Sequence, residues 1–143
     1  MSRKKAEKIP DNALLFRRVL GGQIKNTGGV KASAFSSGEK NEAGLSAEWQ
    51  KYAKTPDATK YRMASDECPE EDRESREAQE KFGVCSFITK DIRRLKLTVL
   101  HTPSWNIAHS SIRGQYSLDR SDQLELRQEL ANLASVVLSP TAR

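Results

Sequence analysis

An apolar, β-rich stretch, Ala13-Leu14-Leu15-Phe16-Arg17-Arg18-Val19-Leu20, carries two adjacent arginines in its middle and is stopped by Gly21-Gly22. Successive side chains of a β-strand point to opposite faces, so one of the two arginines must face into the fold or lie along a groove. A guanidinium taken out of water needs a carboxylate or a ligand phosphate beside it. The sequence offers one: Glu48, inside the alternating segment Leu45-Ser46-Ala47-Glu48-Trp49. Whatever this chain folds into has to accommodate that charge.

The remaining pattern alternates short strands with helices. Leu45 to Trp49 reads as a strand, or as the start of a helix running to Tyr52. Val30 to Ser36, after the turn at Gly28-Gly29, is a short strand or an extended loop, and Gly38 to Gly44 is a polar loop. Thr55-Pro56-Asp57 predicts a helix from Pro56 to Met63 with proline in its first position. Cys68-Pro69-Glu70-Glu71 opens another, predicted over 69–82 and closed by Gly83. Val84 to Ile88 is a strand, Thr89 to Leu95 a short capped helical turn, and Leu97 to Leu100 a strand running into His101. Ser121 and Asp122 cap a final helix, where Leu126, Leu130, Leu133 and Val137 form an apolar stripe that Pro140 ends. These elements predict an α+β fold: a small mixed or antiparallel sheet with peripheral helices and an amphipathic C-terminal helix. A single domain over 11–139 follows a basic, mobile arm at 1–10.

A chain of 143 residues can bury a core without metals or disulfides. No apolar run approaches the ~18 residues that span a bilayer, and the basic start Met1-Ser2-Arg3-Lys4-Lys5 lacks the apolar stretch of a secretory signal. A cytoplasmic protein is expected, with Cys68 and Cys85 as reduced thiols and Cys85 buried in its strand. The net charge of +5 conceals an asymmetry, because residues 67–80 hold seven acidic side chains against Arg73 and Arg76. The rest of the chain is strongly basic, a composition that attracts polyanions, and the acidic segment either docks on a basic partner or stays solvated. These features suit an accessory protein that binds nucleic acid or an acidic protein partner, with Arg3, Lys4 and Lys5 as contacts.

The chemically capable side chains cluster between His101 and Gly114. If this segment is helical, Asn106 and His109 share a face and can hold a sugar hydroxyl or phosphate while His109 exchanges a proton near neutral pH. Otherwise Asn106 caps a turn and His109 ties down a loop. His101 and His109 lack a third ligand, so no metal site is predicted. Ser33, Ser36 and Ser37 add hydroxyls in a polar region. The candidate set is therefore His109 and Glu48 for proton transfer, with Arg17, Arg18, Ser33 and Asn106 for binding; the sequence leaves the cofactor undefined.

The succession Leu14-Leu15-Phe16-Arg17-Arg18, Ala32-Ser33-Ala34-Phe35, Leu45-Ser46-Ala47-Glu48, Phe82-Gly83-Val84, Arg93-Arg94-Leu95 and Asn106-Ile107-Ala108-His109 resembles a family of small bacterial proteins over residues 13–113. That resemblance implies no particular activity. The chain is also similar, more faintly, to the ADP-ribosyltransferase superfold and the NAD-degrading RES-type toxins. These set an arginine on the first strand, a Gly- and Ser-containing segment after it and a glutamate later, places that Arg17 or Arg18, Ser33 and Glu48 occupy in order. This likeness implies a toxin or effector enzyme acting on NAD or another nucleotide-derived group.

Overall fold

The computed structural model describes residues 5–36, 44–62, 76–103 and 106–140. Arg3, Lys4, Ser37, Cys68, Ser104, Trp105 and residues 69–75 of the helix predicted over 69–82 lie outside them. The described strands are β1 (Leu14–Leu20), β2 (Leu45–Trp49), β3 (Phe82–Ile88), β4 (Thr98–His101), β5 (His109–Arg113) and β6 (Ser135–Leu138). They join one antiparallel sheet in the order β4-β5-β2-β1-β3-β6. With helices α1 (Pro56–Lys60), α2 (Arg76–Glu80), α3 (Thr89–Arg94) and α4 (Arg120–Leu133), the fold is α+β, as the pattern predicts.

Period-two alternation divides the sheet into two faces. Leu15 and Val19, Leu45, Ala47 and Trp49, Cys85 and Phe87, Val99 and Ile112 belong to one buried core. Leu126, Leu130 and Ala131 of α4, Ile92 of α3 and the short 3-10 turn Ala32–Phe35 complete that core. Gln115 clasps this cover: its amide nitrogen Nε2 donates to the Phe35 carbonyl at 3.0 Å, and its Oε1 accepts from Arg127 Nε of α4. Over the opposite face α1 packs against β1 and β3. Its start is as the sequence predicts, with Pro56 in the first turn and Thr55 Oγ1 accepting from the Ala58 amide.

Several expectations give way. Leu45 to Trp49 is a strand, and no helix runs on to Tyr52, because both ladders of β2 are occupied by β1 and β5. Val30 to Ser36 contributes an isolated bridge at Val30 and then the 3-10 turn. The helix predicted to 82 ends at Glu80, and Gly83 is a β3 residue, since Phe82 and Gly83 already pair with Leu20 and Val19. Its lost Cβ has a packing reason, for one placed there would sit 2.7 Å from the Leu138 carbonyl oxygen. Asp119, not Ser121 or Asp122, caps α4 by accepting from the Asp122 amide. Val137 leaves the helical stripe: the chain passes from α4 straight into β6, which pairs with β3. Thr89 does not cap α3; it lies inside the helix, and its hydroxyl donates to the Ala13 carbonyl.

Glu7 and Ile9, within the arm expected at 1–10, take part in the fold. Ile9 is 1% exposed in the core, the Glu7 amide donates to His101 Nδ1, and the Glu7 carboxylate meets Tyr52 and Lys51.

The two ends of the predicted stripe therefore make opposite demands. Leu130 is fully buried and Val137 is 43% exposed. Leu130→Ala is expected to cost about 2–5 kcal/mol in chemical unfolding, and Val137→Ala to stay within about 0.5 kcal/mol of the parent. Equal losses would contradict the placement of Val137 on β6.

Candidate functional site

The register across the central strands builds a row of side chains on the face away from the core. Phe16 pairs with Glu48, and Glu48 pairs with His109, so the three lie side by side on β1, β2 and β5. Ser46 and Ser111 form the next rung. Entry into β2 is fixed by Gly44, whose φ is +81° and whose missing Cβ would lie 2.2 Å from the Ile112 carbonyl oxygen. Only glycine lets β2 approach β5 there.

This row lines a cavity of about 220 Å³ together with Arg18, Thr59, Arg62, Phe82 and Asn106. Arg17 and Ala47 border it too, although alternation sends their side chains to the core face. Of the six residues singled out for catalysis and binding, His109, Glu48, Arg18 and Asn106 thus meet at one cavity, Arg17 borders it with its side chain on the core face, and Ser33 does not line it. Ser33 is exposed on the 3-10 turn, where its carbonyl accepts from Gln23 Nε2. Lys5 is exposed as well.

Glu48 is 7% exposed, and Asn106 holds one of its oxygens, donating from Nδ2 to Oε2 at 2.5 Å. Asn106 is itself clamped, because its Oδ1 accepts from the Ala108 amide in a turn. Segment 106–109 is consequently a turn leading into β5, and the helical arrangement of Asn106 and His109 does not form. The two still converge, through Glu48 between them. Glu48 Oε1 is buried with no hydrogen-bond partner, and so is Thr59 Oγ1 on α1. Both residues line the cavity.

His109 Nδ1 lies 3.1 Å from the Thr102 carbonyl and 2.9 Å from Thr102 Oγ1, which also meets Ser111 Oγ. A carbonyl oxygen only accepts, so Nδ1 carries a proton and donates it to Thr102. Among the described residues Nε2 has no partner. His101 has neither freedom: its Nδ1 accepts from Glu7, its Nε2 donates to the Ile107 carbonyl at 2.7 Å, and the ring stacks on Tyr52. It belongs to the core face and His109 to the cavity, so the two imidazoles do not converge on a metal. Among the described residues no cluster of His, Cys, Asp and Glu has the makings of a metal site.

The arginine pair is resolved without Glu48. Arg17 donates from Nε and Nη2 to the Ala34 carbonyl and from Nη1 to the Ser46 carbonyl at 2.6 Å, with Phe35 below it. The expected ion pair is absent because Glu48 points to the other face, and backbone carbonyls supply the acceptors instead. Arg18 donates twice to the Lys60 carbonyl at the end of α1, its guanidinium 4.2 Å from the Phe82 ring centre. Sequence reasoning missed Thr59, which α1 brings over the sheet, and Phe82, which the pairing of β3 with β1 sets against Arg18.

No protein-family model matches the chain, and the comparisons with curated proteins and with solved structures return no match.

Burial lowers the Arg17 pKa, and burial pushes the Cys85 thiol up to about 12, the facing Arg17 acting in the opposite direction. The thiol therefore stays protonated in the fold where the unfolded chain, near 9.0, would release its proton. Stability drawn from this difference is complete below pH 9.0 and is lost as pH rises toward 12. Alkylation of Cys85 at pH 8, followed by peptide mass spectrometry, is expected to be negligible in the native protein and complete in denaturant. Rapid native labelling would contradict its burial.

Proposed function

We propose that this protein is an enzyme that holds a small polar molecule in the Glu48 cavity and performs acid–base chemistry on it. The observation that carries the reading is the convergence of His109, Glu48, Asn106 and Arg18 on one cavity with a buried carboxylate oxygen left unpaired. His109 Nε2 takes a proton from a hydroxyl or water and returns it to a leaving group. Glu48, held by Asn106, orients a donor on the substrate and stabilises positive charge that develops beside it. Arg18 adds fixed positive charge at the Phe82 wall.

A volume of about 220 Å³ is smaller than a typical pocket for a drug-sized ligand. A whole dinucleotide would extend beyond it. The nucleotide-derived substrate implied by the resemblance to ADP-ribosyltransferase and RES-type folds then enters with its reacting portion, the remainder lying outside. A second reading is an accessory protein that docks nucleic acid or an acidic protein through Arg3, Lys4, Lys5 and other basic residues. It draws on the net charge of +5 and ranks behind, since the cavity plays no part in it.

Purified wild type, His109→Ala and Glu48→Gln are to be compared for NAD turnover and for growth and NAD content on expression in bacteria. Both substitutions are expected to lower activity about 100-fold or more while the proteins remain folded. Variants as active as wild type, or a wild type inert in every assay, would overturn the enzymatic reading.

A further inference from the structure

We infer that His101, a residue of the core face, is a positioning residue for the cavity: through the peptide between Ile107 and Ala108 it sets the Asn106 amide on Glu48. The inference rests on the proposed role of that cavity as a site and names what orients it.

An asparagine amide presents an acceptor and a donor of almost the same shape, so its neighbours decide which end faces which. Asn106 Oδ1 accepts from the Ala108 amide at 2.9 Å, which leaves Nδ2 to donate to Glu48 Oε2 at 2.5 Å. The Ala108 N–H shares a peptide plane with the Ile107 carbonyl, and in a trans peptide the two point in opposite directions. Whatever holds that carbonyl therefore aims that N–H. His101 Nε2 donates to it at 2.7 Å.

His101 is fixed in its turn. Its Nδ1 accepts from the Glu7 amide at 2.9 Å, so the ring proton sits on Nε2. The imidazole stacks on Tyr52, meets Trp49 edge-on and is 3% exposed. Glu7 is anchored by its own carboxylate, which meets Tyr52 and Lys51. The result is one run of hydrogen bonds in which every donor points the same way, from Glu7 to His101, from His101 to Ile107, from Ala108 to Asn106 and from Asn106 to Glu48. Reversing any member would set donor against donor or acceptor against acceptor. Bonds in such a run polarise one another toward the acceptor end, which here is the carboxylate. The direction imposed at Glu7 thus determines that a donor meets Glu48.

The test is NMR of the full chain, with nitrogen-15 in backbone, asparagine and histidine, on wild type, His101→Gln and His101→Asn. Glutamine can place an amide nitrogen where Nε2 stands, whereas asparagine reaches only the position of Nδ1. Wild type is expected to carry the His101 proton on Nε2 and to show one Asn106 Nδ2 proton shifted downfield by Glu48. His101→Gln should keep that shifted proton and hold exchange of the Ala108 amide within about threefold of wild type. His101→Asn should lose it and speed that exchange about tenfold beyond any change at the amides of β1 and β3, as the loss of one hydrogen bond requires. A merely structural histidine would instead speed all these amides together and leave the Asn106 proton of the folded protein where it was. That result, a proton on His101 Nδ1 in wild type, or loss of the shifted Asn106 proton in folded His101→Gln, would overturn the inference. The wild-type ring and the glutamine variant decide the matter even where His101→Asn does not fold. The two readings fail separately, because these spectra need no substrate. An Asn106 amide indifferent to His101 removes the positioning role with His109-dependent turnover intact, whereas the expected spectra in a protein without turnover remove only the enzymatic role.

Discussion

The register that sets Phe16 against Glu48 and Glu48 against His109 is the constraint on which the site depends. A slip of one residue in either ladder would turn Glu48 into the core and Ala47 or Trp49 out of it. The apolar face forbids such a slip, since Leu45, Ala47 and Trp49 fill the core that α4 and the 3-10 turn close. Core packing and site geometry are thus two sides of one alternation. Gly44 enforces the same register sterically by admitting the Ile112 carbonyl.

The adjacent arginines show how a single sequence feature can serve both faces. Arg17 reaches carbonyl oxygens of Ala34 and Ser46 and so fastens the 3-10 turn to β2. Arg18, one residue on, fastens the end of α1 to β1 through the Lys60 carbonyl. In these contacts each guanidinium exchanges water for fixed carbonyl dipoles. Glu48 instead accepts from Asn106, and its second oxygen is buried without a hydrogen-bond partner.

His109 and His101 illustrate how hydrogen bonding divides identical side chains between roles. Both nitrogens of His101 are used by Glu7 and Ile107, which joins the beginning of the chain to the loop before β5. Among the described residues His109 is bonded only through Nδ1, which orients the ring and leaves Nε2 without a partner. The loop that Asn106 closes is therefore both a structural clamp and part of the cavity wall, so substitutions there touch stability and binding together.

Much of the fold was legible in local patterns. An apolar, β-rich composition marked β1, alternation marked β2, proline and threonine marked the start of α1, and apolar spacing marked α4 through Leu126 and Leu130, because these signals depend on composition, periodicity and capping that act within a few residues. The candidate side chains were legible too, since arginine, glutamate and histidine amid apolar strands stand out by chemistry. Neither β5 nor β6 was visible: His109 to Arg113 is largely polar, and Ser135 to Leu138 continues the helical stripe of α4 in sequence. Both became strands because an existing sheet edge offered them ladder hydrogen bonds, a non-local reward that overrides local preference. By itself the sequence determined an α+β domain with an arginine pair needing acceptors and a set of residues fit for acid–base chemistry. Tertiary structure alone decided that Glu48 faces His109 and not Arg17, that Ser33 stands apart, and that Thr59 joins, because strand order and register connect residues that no spacing along the chain relates.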